Sequence, residues 1–245
     1  CFVAPPDYLY WSLDYKGIEA VLVGYFAGSR NYIRLSQIDV HTFFTLHALH
    51  MVDKVLPASD LPDLAWSDTD LTDYLGKMRA RFKAQRQLNK HLVHGGAYLM
   101  TPFKAQEVLL KELGVIIEVK LLKQLFGVFF DLFPEIKDWQ IALCHRVDST
   151  RRKDGVAYQG GELVEAIDAG TCIIRSPWEW VHRFYQPLKW SPPRITGAPW
   201  EWEFGEDAKR LVAFLPQHSA AQIIKAAGRR LYYQRFEEVG RYMRL

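Results

Sequence analysis

The feature that most constrains this chain is the segment 71–94, LTDYLGKMRARFKAQRQLNKHLVH, inside a much longer block of helical periodicity. From about Val40 to about residue 150 the apolar residues recur at helical spacing, interrupted by a Pro/Asp/Ser loop at 57–70 and by Gly95-Gly96. Short runs of β-branched and aromatic residues flank the block. YLYWSLD at 8–14 reads as a strand, turned at Lys16-Gly17 into a helix from Ile18, and 153–175 reads as hairpin material. Residues 206–240 return to helix. Two further helices are expected at 102–113 and about 116–133, and another near 135–150 beyond Pro134. An order of strand, helical block, strands and helix predicts an α+β fold with a helical insertion.

Composition narrows the function classes. Of 245 residues, 49% are hydrophobic and 24% charged, which excludes a disordered chain. A formal net charge of +3 permits an anionic partner without demanding one. Cys1, Cys144 and Cys172 lie far apart with no CxxC spacing, so neither a zinc site nor a disulfide framework is indicated. The longest apolar run, LGVIIEVKLLKQLFGVFFDLF, carries Glu118, Lys120 and Lys123, and no membrane span is expected.

The candidate chemistry lies along the basic segment. Arg86, Lys90 and His94 are four residues apart and Tyr98 follows four later. On a helix such positions form one slowly drifting row, which Tyr98 joins only if the helix runs through both glycines. Two cations, an imidazole and a phenol on one edge suit an extended anion with a sugar or aromatic end, such as a nucleoside triphosphate. A solvated basic face has the same spacing. Asp14, at the end of the first strand, is the residue type that metal-assisted phosphoryl transfer requires, because hard divalent cations take oxygen ligands.

These elements together resemble the polymerase domain of the family A DNA polymerases, the group containing bacterial DNA polymerase I. The first palm motif of that family reads roughly FVPxxGxxLxxxDYSQIELRxLAHLSG and is followed by a D-I-H-T element. Here the chain reads FVAPPDYLYWSLDYKGIEAVLVGYFAG, then Asp39-Val40-His41-Thr42. The fingers helix, R-x3-K-x3-(F/Y)-x3-Y-G, corresponds to Arg86, Lys90, His94 and Tyr98. FFDLFPEIKDW matches a helix ending in a turn, and AFLPQHSAAQIIK at 213–225 matches a helix written N-x-P-x-Q-G-T-A-A-D-I-I-K. The four elements are in family order over about residues 2–230.

The resemblance implies a right-hand palm sheet carrying a helical fingers insertion. Residues 1–30 would begin the palm, 31–150 would form the fingers with a nucleotide-binding helix over about 71–98, and 151–245 would return to the palm with a Trp-rich insertion at 178–202. It implies template-directed addition of deoxynucleoside triphosphates to a primer, with primer–template DNA as partner and two Mg2+ ions, or Mn2+, as cofactors. Asp14 would be a catalytic metal ligand assisted by the Tyr15 carbonyl. Glu19 would close the space under the sugar 2′ position, hydrogen-bonded to Tyr98. Arg86 and Lys90 would hold the triphosphate, with Lys90 also giving a proton to the leaving pyrophosphate. His41 would touch the β-phosphate, His94 would pack against the sugar and base, and Gln217 and Lys209 would face DNA. A cytoplasmic, nucleoid-associated enzyme follows, of phage or mobile-element type. On this resemblance, the absence of the family's His-Asp-Glu motif before Leu245 and the abrupt start would make the chain a piece of a longer polymerase.

Each residue taken singly has a plainer role. Glu19 is also an ordinary first-turn acid favoured by the helix dipole, His41 a helix-start or core residue, and Gln217 a helix cap. The Trp-rich stretch either packs a loop or stacks unpaired bases. The sequence departs from the family at His94 (aromatic), Leu99 (Gly), Lys16-Gly17 (Ser-Gln), Ala213 (Asn) and Lys209 (Arg). A catalytically inactive, DNA-holding relative and a structural protein with a basic helix are the competing readings.

Overall fold

A computed structural model describes residues 15–152, 164–168, 171–175, 178, 180–191 and 201–234. Asp14 and the expected strand before it lie outside the described residues, as do 153–163, 192–200 and the end of the last expected helix. The described residues form nine α-helices and two small antiparallel sheets, an α+β arrangement.

The helical block runs α1 (Ile18–Ala27), α2 (Arg30–Ile38), α3 (Val40–Met51), α4 (Asp68–Arg81), α5 (Lys83–Ala97), α6 (Pro102–Leu113), α7 (Val119–Leu132) and α8 (Pro134–Arg152). Local chemistry sets several boundaries. Gly17 and Gly28 bracket α1 in the left-handed region, with φ of 66° and 71°. Ser67 caps α4, accepting from the Asp70 amide at 3.2 Å. Thr101 caps α6, with Pro102 in the first helical position. The core is aromatic where α2, α3 and α7 meet: Tyr32 stacks edge-on against Phe133 with ring centroids 4.9 Å apart, and Phe129 lies against Tyr32, Phe44 and Phe133.

Three expectations are corrected. The single helix over about 71–98 is two helices, broken at Phe82, whose backbone adopts φ −113° and ψ 38°. Neither Gly nor Pro marks the break; Phe82 itself turns the chain and is buried there. The block also begins earlier than Val40, because α2 precedes α3 with only the extended Asp39 (φ −163°) between them. Gly95-Gly96 does not stop α5, which continues to Ala97. A Cβ on Gly95 would lie 2.8 Å from Met100 Sδ, and one on Gly96 would lie 2.7 Å from Phe129 Cδ1. The glycines are there for close approach.

After α8, β1 (Val164–Asp168), β2 (Thr171–Arg175) and β3 (Val181–Phe184) form an antiparallel sheet in sequence order. β4 (Leu188–Ser191) and β5 (Glu201–Phe204) form a second, in register at Trp190 and Trp202. α9 (Ala208–Gln234) follows and packs along α1. Asp207, before it, accepts from the amides of Tyr185 (2.7 Å) and Gln186 (3.3 Å) and so ties the helix start to the end of β3.

Candidate functional site

The first turn of α1 and the last turn of α5 meet at Glu19 and Tyr98. The Tyr98 hydroxyl donates to Glu19 Oε2 at 3.2 Å, long for an O–H···O bond. Tyr98 is buried, and burial together with the Glu19 carboxylate pushes its phenol pKa up, so it remains a donor. Tyr98 is in line with Arg86, Lys90 and His94 because α5 runs through both glycines. Three steps of 40° spread the row over about 120° of the helix surface and about 18 Å of its length.

Each member has distinct surroundings. Arg86 is held from behind: Nε donates to Asp39 Oδ2 (3.2 Å) and Thr42 Oγ1 (3.0 Å), and Nη2 donates to Asp39 Oδ1 (3.0 Å). Burial would raise the Asp39 pKa, but the hydrogen bonds from Arg86 and Thr42 outweigh it and hold the carboxyl below its usual range. Asp39 also caps α3 through the Thr42 amide at 3.1 Å. The second terminal nitrogen of Arg86, Nη1, makes no hydrogen bond to a described residue and is left for another acceptor. Lys90 is exposed, with neither a hydrogen bond nor an ion pair to any described residue.

His94 is exposed and lies edge-to-face on Tyr98, ring centroids 4.9 Å apart. Desolvation lowers its pKa; Glu19 opposes the shift, while His91, Lys90 and Lys209 add to it. That set of neighbours brings Lys209 of α9 to the same region, exposed and unpaired among the described residues. His41 is half-buried on α3, and its Nδ1 is buried without a hydrogen-bond partner among the described residues. Burial and the positive charges of Arg86 and Lys90 lower its pKa to about 4, against the opposing effect of Asp39.

Thus Glu19, His41, Arg86, Lys90, His94, Tyr98 and Lys209 are brought into one neighbourhood. Gln217 is exposed farther along α9 and makes no hydrogen bond to the row. Tyr15 is exposed at the described edge of the chain.

Sequence reasoning missed three residues that set this geometry. Asp39 was read only as part of a motif, yet it orients Arg86. Gln140 of α8 is buried and donates to the Gly96 and Ala97 carbonyls, at 2.8 and 3.0 Å, fixing the end of α5 beneath Tyr98. Lys16 donates to the Gln37 and Ile38 carbonyls at 2.9 and 3.1 Å, closing the C-terminus of α2, and Gly17 leaves Ser36 O only 3.1 Å from where a Cβ would stand. No local sequence signal marks Gln140; the Lys16-Gly17 departure from the family pattern is the trace of the second device.

No family model, curated protein or solved structure matches this chain. Among the described residues no three His, Cys, Asp or Glu side chains stand close enough to hold a metal ion. The expected metal ligand, Asp14, lies outside the described residues. No described helix is long and apolar enough to cross a membrane.

Proposed function

We propose that this chain is the nucleotide-binding part of a template-directed DNA polymerase, with the incoming deoxynucleoside triphosphate lying along α5 from Arg86 to Tyr98. The observation that carries the reading is the Tyr98–Glu19 hydrogen bond at the apolar end of a basic row. A carboxylate held by a buried phenol keeps a set position, and a sugar lying against it would leave no space for a 2′-hydroxyl.

The other side chains divide the remaining work. Arg86, oriented by Asp39, presents Nη1 to a phosphate oxygen in a fixed direction. Lys90 places an ammonium group one turn along, where negative charge grows as pyrophosphate leaves, and is the candidate proton donor to it. The His94 ring, biased to its neutral form, covers the sugar and base. His41, on α3 near Arg86 and Lys90, is the candidate contact to the β-phosphate. Lys209 and Gln217 on α9 face the primer–template. An enzyme working on DNA with free nucleotides belongs in the cytoplasm, at the nucleoid.

Hydrogen exchange of the chain with and without a deoxynucleoside triphosphate tests the reading. Protection of amides across 86–98, weaker with the ribonucleotide, is expected. An exchange pattern in α5 unchanged by saturating nucleotide contradicts it. A second reading, DNA held without chemistry, is favoured by the prior engagement of Arg86 and by the basic character of α9. Intact DNA binding with no primer extension by the full-length protein that carries this chain would select it.

A further inference from the structure

A second organised surface lies on α9, on an arc that does not include Lys209. The 27 residues of α9 include five cations, Lys209, Arg210, Lys225, Arg229 and Arg230, and no carboxylate. All five are exposed. Arg210, Phe214, His218, Lys225 and Arg229 follow at steps of four, four, seven and four, which keeps them within an arc of about 100°.

On this arc a column of rings is built between helix and sheet. His182 of β3 stacks on Phe214 with centroids 5.3 Å apart and planes 29° apart; Phe214 stacks on His218 at 5.3 Å and 21°. His218 lies 5.7 Å from the ring of Trp180, and Lys225 Nζ sits 5.8 Å from the centroid of the same indole. The column is anchored at its inner end, where Arg210 bonds both Asp207 Oδ1 (2.9 Å) and His182 Nε2 (3.1 Å). Trp180, next along from His218, is 56% exposed.

A column serving only to pin the sheet to the helix would use buried rings alone. This one reaches an exposed indole, beside a helix whose own charged residues are all cations. We propose that this face binds single-stranded nucleic acid, with unpaired bases stacking at Trp180 and the phosphates following Lys225 and Arg229. The occupant is single-stranded because bases in a duplex already stack on one another and offer no face to an indole. The charge fits a polyanion and repels basic partners. This inference goes beyond the nucleotide site and needs neither a triphosphate nor a primer.

Fluorescence anisotropy of a labelled oligothymidylate tests it, beside a blunt duplex of the same length. Trp180→Ala is expected to weaken binding of the single strand about five- to hundredfold, the range for loss of one base–aromatic stack, and Trp180→Phe to recover part of it. Lys225→Gln is expected to lower the slope of log K against log salt by about 0.7. Binding of the duplex is expected to be unaffected by Trp180→Ala. Single-strand binding by Trp180→Ala within twofold of wild type overturns the proposal, as does an equal loss on the duplex. Should Trp180→Ala fail to fold, as read by its thermal transition, Trp180→Phe and Lys225→Gln decide by the same readings: wild-type affinity in the first with an unchanged salt slope in the second overturns it. Loss of triphosphate binding at α5 with this surface intact would sink only the polymerase reading.

Discussion

Asp39 and Arg86 hold each other by two hydrogen bonds of 3.2 and 3.0 Å, across the junction of α2 and α3 with the second turn of α5. Both side chains are shielded, at 18% and 11% exposure for Arg86 and Asp39, so the pair is more than a screened surface contact. Asp39→Ala removes a helix cap and strands a guanidinium, and a loss of about 3 kcal/mol in urea unfolding is expected. The pH dependence has a definite sign. Asp39 has a lowered folded pKa, so its contribution is fully present above the unfolded value near 3.9 and disappears as pH falls through the folded one. Asp39→Asn should therefore lose less stability than wild type between about pH 4 and pH 2. Parallel curves would mean that the charge contributes nothing.

His41 should remain neutral well below the ordinary histidine range. Its folded pKa, about 4, lies below the unfolded one, so the unfolded chain binds the extra proton first. Its contribution to stability is full above about pH 6.5 and declines as pH falls toward 4. NMR titration of the His41 ring should show no transition between pH 7 and pH 5.5. A midpoint near 6.5 would place the ring in water.

Leu99 occupies the left-handed region with φ 56°, at the position where the resembled family has glycine. A side chain there costs about 1–2 kcal/mol. Leu99 also packs against the core, so shortening it loses burial. Leu99→Gly and Leu99→Ala lose similar contacts, but only glycine relieves the backbone. Thermal unfolding should rank the Gly variant above the Ala variant by about 1 kcal/mol, and the reverse order would remove the strain argument.

Gly96 and Gly76 both lie in helices but should respond oppositely to alanine. The new methyl at 96 would meet the Phe129 ring at 2.7 Å, inside the aromatic core, with an expected cost of about 1–3 kcal/mol. At 76, an exposed position of α4, nothing lies within 4 Å, and Gly76→Ala should stabilise by up to about 1 kcal/mol. Melting temperatures that move in the same direction would contradict this packing.

How far the sequence could be read depends on whether its signals were local. Glycine and capping signals at Gly17, Thr101 and Gly114 are local, and the helix ends they mark match the expected starts at Ile18 and 102 and the expected end at 113; α4 instead begins at Asp68, capped by Ser67, three residues before the expected start at Leu71. The break at Phe82 was invisible because the buried positions stay in phase across it. Leu71 to Phe82 is eleven residues and Phe82 to Asn89 seven, each within about 20° of whole turns. Gly95-Gly96 misled in the other direction: a helix-weakening pair turned out to admit Met100 and Phe129, which only the tertiary packing could show. At the site, the spacing of Arg86, Lys90, His94 and Tyr98 was readable, but the hold of Asp39 on Arg86 and of Gln140 on the α5 end spans more than forty residues and leaves no pattern.

The central claim is that Glu19, fixed by Tyr98, closes the space beneath a nucleotide sugar. The most direct test is kcat/KM of the full-length protein that carries this chain for a deoxynucleotide and its ribonucleotide on one primer–template, in wild type and Glu19→Ala. Removing the carboxylate opens the space and also frees Tyr98, so deoxynucleotide addition should fall while ribonucleotide addition rises. The account predicts a drop in the selectivity ratio of tenfold or more, about 1.4 kcal/mol of discrimination. A ratio unchanged within about threefold, well short of that difference, would make Glu19 an ordinary first-turn acid and contradict the account.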